Sequence, residues 1–126
     1  MIYKRKTNKT IEKLLIDLKK HLSDIGFGVL WEMNFKDKFD EKGLEFDGDF
    51  KILEVCNPVK AHMVLNDNID MGFFLPCKIA VFEQEGEIFI GMPEPTKMMN
   101  FAEQPSVGEI ALEVETLLKS AIDKSL

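Results

Sequence analysis

Leu53-Glu54-Val55-Cys56-Asn57-Pro58 reads as a buried strand running straight into a helix. Asn57 is a favourable N-cap, and Pro58 suits the first helical position, where a missing N–H costs nothing. Cys56 then lies one residue before the cap, near the positive end of the helix dipole, where a thiolate is favoured. Strand side chains repeat every two residues, so Glu54 shares a face with Cys56 while Leu53 and Val55 take the other. Both faces carry apolar residues, which places the strand inside a sheet. A carboxylate at Glu54 therefore needs a partner: an N–H at the start of the following helix, or Lys78.

Before this stretch, Ile11, Leu14, Leu15, Leu18, Leu22 and Ile25 recur at the three-and-four spacing of an amphipathic helix that begins at Thr7 or Thr10 and stops at Gly26. Phe27, Val29, Trp31, Met33 and Phe35 then alternate with less apolar residues, as in a strand with one strongly apolar face. The stretch Asp37 to Asp49 is dense in carboxylates without calcium-loop spacing and reads as a short helical turn and a solvated acidic loop.

After it, Pro58 to Asn66 is a short helix and Ile69 to Pro76 an apolar loop. The runs Cys77–Glu83 and Glu87–Met92 form a hairpin about Glu85-Gly86. A second loop, rich in Met and Pro, spans Gly91 to Gln104. Ser106-Val107-Gly108-Glu109 is a capping box for a last helix, whose stripe includes Val107, Ile110, Ala111, Val114, Leu117, Leu118, Ala121 and Ile122. The expected fold is one α+β domain over residues 1–126. It has two layers: a small mixed sheet of about four strands with the long N- and C-terminal helices packed on it.

A length of 126 residues with 45% apolar content supports one packed core. A net charge of −6 argues against nucleic acid, with Lys4-Arg5-Lys6 read as a solvated lead-in. No apolar run is long enough to span a membrane, and no signal core is visible, so the expected location is the cytoplasm. Two cysteines are too few for a disulfide scaffold.

Glu54-Val55-Cys56-Asn57-Pro58 with Ala61, followed by Leu75-Pro76-Cys77-Lys78-Ile79-Ala80-Val81, resembles the signature of the family called domain of unknown function three-hundred-and-two. The resemblance covers nearly the whole chain. It implies a compact two-layer α/β fold, usually a homodimer, in bacteria and archaea, and no established activity.

The candidate site comprises Glu54, Cys56, Asn57 and Cys77. Whether the two cysteines meet depends on strand direction, because antiparallel strands place them at one edge of the sheet and parallel strands separate them. Buried cysteines are most often small packing residues. The expected function is a homodimeric module that binds a small ligand or partner at this surface without a cofactor, with no enzyme motif to suggest otherwise. The apolar loops Met71–Leu75 and Met98–Phe101 would roof the pocket or build the dimer contact. The alternatives are thiol-dependent redox or sulfur handling by Cys56 and Cys77, and a metal site using Cys56, His62 and Cys77.

Overall fold

In a computed structural model of the chain, which describes residues 1–101 and 108–126, β3 (Phe50–Cys56) is an interior strand. It lies between β2 (Gly28–Asn34) and β4 (Cys77–Gln84), followed by β5 (Glu87–Pro93) and, at the far edge, β1 (Ile2–Thr7). The sheet order is β1-β5-β4-β3-β2 and every neighbouring pair is antiparallel. Leu53, Val55, Ile79, Val81 and Ile90 on one face are fully buried under α1 (Ile11–Asp24) and α5 (Gly108–Ser125), which also pack on each other. Thr10 caps α1, its side chain accepting from the Lys13 N–H at 3.2 Å.

The α+β class and the two-layer arrangement hold, but the sheet is neither mixed nor four-stranded. The additional strand is β1, which contains Lys4-Arg5-Lys6. An edge strand tolerates charge on its open side, so its sequence looks like solvated chain. A Cβ at Gly91 would stand 2.6 Å from the Tyr3 carbonyl oxygen, so the absence of a side chain at Gly91 lets β1 lie against β5. The link between β3 and β4 is not the crossover that a mixed sheet would need but an excursion that leaves and returns at one end of the sheet. It consists of α3 (Pro58–Asp67) and a 3-10 helix (Ile69–Phe74), where an apolar loop was expected.

The strand after α1 departs from strict alternation. Its register shifts between Val29 and Trp31, so Leu30 is an inserted bulge residue. The bulge reverses the parity: Val29 packs against the core, whereas Trp31 stands opposite Glu54 on the outer face and is 47% exposed. Phe35, read as the end of this strand, opens α2 (Phe35–Glu41). Phe50 stacks on Phe82 and Phe82 on Phe89, with centroids 5.2 and 5.6 Å apart, and Phe35 meets Phe50 edge-on. These rings cover part of the sheet face that lacks α1 and α5. The hairpin about Glu85 (φ 52°) and Gly86 (φ 79°) has positive φ at both central residues, as primed turns require.

The run Gly91–Gln104 is not one loop: β5 continues to Pro93, and Pro95–Phe101 is a helix, α4. Ser106 and Val107 of the expected capping box lie outside the described residues.

Asp17 ties α1 to the end of α5. It pairs with Lys9 at 2.7 Å and Lys13 at 3.0 Å, and Lys9 also donates to the Ser125 carbonyl at 2.7 Å. Donation by Lys9, and then by Lys13, holds the Asp17 carboxyl down at about 2. A carboxyl depressed in the folded state contributes stability above its unfolded value, about 3.9, and that contribution is lost as pH falls toward the folded value. Melting temperature is therefore expected to fall between pH about 4 and about 2. Asp17→Asn should be less stable than wild type at neutral pH and should flatten that acid limb in melts recorded across pH. An unchanged limb would show that Asp17 does not stabilise the fold.

Candidate functional site

The antiparallel pairing of β3 with β4 sets Glu54 opposite Lys78 and Val55 opposite Cys77. Cys56 is thus diagonal to Cys77 across the ladder, with Cα atoms about 6 Å apart for a strand spacing of about 4.8 Å and a rise of about 3.4 Å per residue. Alternation nevertheless sends the two side chains to opposite faces, since Cys77 shares the core face with Val55 and Cys56 shares the outer face with Glu54. Diverging Cβ directions oppose a disulfide at this Cα separation. Both cysteines are free.

The excursion between the two strands is anchored at Asn57. Its side chain accepts from the Lys60 N–H at 3.2 Å and caps α3, with Pro58 in the first turn as expected. Gly26, at φ +82°, comes so close that a Cβ would meet Asn57 Nδ2 at 3.1 Å, and the turn into β2 depends on that glycine. The 3-10 helix then folds back on α3, with Gly72 against the Leu65 side chain.

Two cavities lie at this end of the sheet. The larger, about 390 Å³, is walled by the 3-10 helix, by Pro95, Met98 and Met99 of α4, and by Ile110, Ala111, Val114 and Leu118 of α5. Its floor is the strand ends, with Cys77 and Met92, and its polar members are Glu54 and Lys78. A much smaller one, about 30 Å³, sits under α3 among Val55, Cys56, Asn57, Ala61 and Cys77. The four candidate residues therefore divide. Glu54 and Cys77 border the larger cavity, Cys56 and Asn57 the smaller, and Cys77 touches both.

The side chains of Glu54 and Lys78 make no ion pair or hydrogen bond among the described residues. The expected tether of Glu54 to the α3 N-terminus is absent, because Asn57 supplies that cap. His62 lies beside Asn66, with ring nitrogens 3.2 and 3.4 Å from Asn66 Nδ2. Among the described residues no group of three His, Cys, Asp or Glu is placed to hold a metal ion.

The thiols are shifted away from the reactive form. Burial pushes the Cys56 thiol up, opposite to the expected helix-dipole effect. Burial, and then the neighbouring Cys56, push Cys77 up to about 11. Desolvation disfavours the charged thiolate and favours the neutral thiol.

The α4 wall is held by a cluster that the sequence did not suggest. Glu115, only 7% exposed, accepts from the Thr96 N–H at 3.0 Å and the Thr96 hydroxyl at 2.6 Å. Lys119 donates to Glu115 at 3.1 Å and to Glu94 at 2.7 Å, and Glu94 also pairs with the Met1 amino group. Burial pushes the Glu115 carboxyl up, but donation from Thr96 and Lys119 outweighs it and the carboxyl lies below its usual range.

These features define a class of fold: a five-stranded antiparallel sheet under two long helices, with an apolar cavity at one end. The model of the family described as Domain of unknown function DUF302 matches residues 3–125, and the chain belongs to that family. Its structure is similar to the crystal structure of an uncharacterized conserved DUF302 protein from Bacillus stearothermophilus, with 38% identity, a TM-score of 0.95, and coverage of 99% of this chain and 98% of that one. No curated protein matches. No described helix is long and apolar enough to cross a membrane.

Alkylation by iodoacetamide across pH is expected to give a midpoint for Cys56 above the ordinary thiol value of about 8.5. Cys77 should react still more slowly in the native state. A midpoint below about 7 at either residue would restore the thiol-dependent reading.

Proposed function

We propose that this chain is a non-catalytic binding module whose ligand is a small molecule held in the cavity between the 3-10 helix, α4 and α5. The observation that carries the proposal is the cavity itself. Its volume of about 390 Å³ falls in the range of small-molecule pockets, and its wall is apolar except at Glu54, Cys77 and Lys78. Four methionines, Met71, Met92, Met98 and Met99, contribute to the lining. Flexible thioethers suit a site that adapts to its occupant. In this reading Cys77 is a polarizable wall residue, and Cys56 with Asn57 supports the wall from behind. Free cysteines in both positions agree with a cytoplasmic setting.

The homodimer belongs to the same proposal. Val59 and Met63, one helical turn apart on α3, are exposed together with Ile69 and Phe73 of the 3-10 helix, Phe73 to 88%. Exposed apolar side chains of this size suit a partner surface, and a second copy of the chain is the proposed partner. Light scattering is expected to give a dimer at micromolar concentration that Phe73→Asp converts to monomer. A monomeric wild type would remove this part of the proposal and leave the pocket intact.

Occupancy of the cavity is tested with an environment-sensitive anilinonaphthalene dye. Wild type should bind it with an increase in fluorescence. Met98→Trp, which fills the cavity from α4 with a larger ring, should lose at least about tenfold in affinity, the equivalent of about 1.4 kcal/mol. Equal binding by a folded Met98→Trp protein would place the dye elsewhere and count against the pocket.

A further inference from the structure

The polar edge of the cavity has a specific charge arrangement. Glu54 and Lys78 are directly opposed across the β3–β4 ladder, which sets their Cβ atoms about 5 Å apart. Both border the cavity, yet the structure draws no ion pair between them and gives neither another partner among the described residues. Glu54 is half-buried and Lys78 is exposed. A half-buried carboxylate with no donor among the described residues favours a cationic group in front of it. A lysine ammonium beside it favours an anionic one. Apart from Cys77, the other described residues lining the cavity are apolar.

Resting on the binding-module reading above, we propose that the ligand is a zwitterion with an apolar tail, of the α-amino-acid type, whose ammonium pairs with Glu54 and whose carboxylate pairs with Lys78. A zwitterion carries its two charges on groups attached to one carbon, and it meets a carboxylate and an ammonium held on adjacent strands without leaving a charge unpaired. The tail extends into the cavity against Met71, Met98, Met99 and Phe74. A simple amine would leave Lys78 facing a tail, and a simple acid would leave Glu54 facing one. The site thus discriminates by the polar group that a wrong ligand fails to satisfy. Neither side chain pairs with another among the described residues, so their replacement is expected to alter recognition without altering stability.

The test compares three probes of one shape by calorimetry: L-phenylalanine, 3-phenylpropionate, which lacks the ammonium, and phenethylamine, which lacks the carboxylate. Each charged hydrogen bond is expected to be equivalent to roughly tenfold or more in affinity. L-phenylalanine should therefore bind at least about tenfold more tightly than either analogue. Glu54→Gln should abolish its advantage over phenylpropionate, and Lys78→Met its advantage over phenethylamine, with melting temperatures equal to wild type in both. Equal binding of all three probes would overturn the zwitterion and leave the apolar pocket standing. So would dye binding that Met98→Trp blocks, with no binding of any phenyl probe. Failure of dye and probes alike would overturn the binding module together with this inference.

Discussion

The constraint on which the site depends is the antiparallel pairing of β3 with β4, Val55 opposite Cys77. Strands that run in opposite directions end and begin at the same edge. The chain between Cys56 and Cys77 must then leave and re-enter the sheet at one end, and it can do so only by arching over that end. α3 and the 3-10 helix are this arch. The cavity is the space beneath it, with a floor of strand termini. Had the two strands been parallel, the same segment would have crossed a sheet face as a helix. Cys77 would then have begun at the opposite edge, and neither cavity would exist.

The other wall has a different origin. α4 is seven residues long, too short to persist on its own helical propensity. It is fixed from the core side by Glu115, which accepts two hydrogen bonds from Thr96 and one from Lys119. A carboxylate as buried as this one is tolerable only when its lone pairs are occupied. Lys119 extends the contact to Glu94 and through it to Met1, while Lys119 and Arg5 lie over the Tyr3 ring at 4.9 and 3.9 Å. The clasp therefore joins β1, the β5–α4 junction and α5. The edge strand is part of what positions the pocket wall, though it contributes nothing to the lining.

The long-period signals were legible in the sequence and the local exceptions were not. The α1 and α5 stripes, the interior position of β3, the Asn57-Pro58 helix start and the Glu85-Gly86 hairpin follow from spacing and turn chemistry, and the structure contains each of them. β1 escaped because an edge strand with one open side need not alternate strongly. The reversal at Leu30 escaped because a bulge changes register without changing composition. α4 escaped because its stabilising partner, Glu115, is remote in sequence. Of the candidate residues, Glu54 and Cys77 line the larger cavity, whereas strand parity groups Glu54 with Cys56, which lines the smaller one with Asn57. The expectation for Cys56 omitted burial, which pushes its thiol up. A helix N-terminus lowers a thiol pKa and burial raises it, and sequence spacing reveals the first effect without the second.

The composition of the cavity determines which part of it can be selective. Methionine and phenylalanine side chains adjust to the shape of an occupant, and an apolar wall separates ligands that differ by one methylene by only about 1–3 kcal/mol. Glu54 and Lys78 project from paired strands of a hydrogen-bonded sheet, so their separation is set by backbone geometry and not by side-chain packing. Polar groups on rigid elements discriminate more sharply, because a ligand that leaves one of them unpaired loses the full cost of its desolvation. In the proposed module the arch and α4 would supply affinity and exclude water, while β3 and β4 would supply the distinction between ligands. The pairing that brings Val55 opposite Cys77 also brings Glu54 opposite Lys78, so one register defines both where the cavity lies and which charged residues border it.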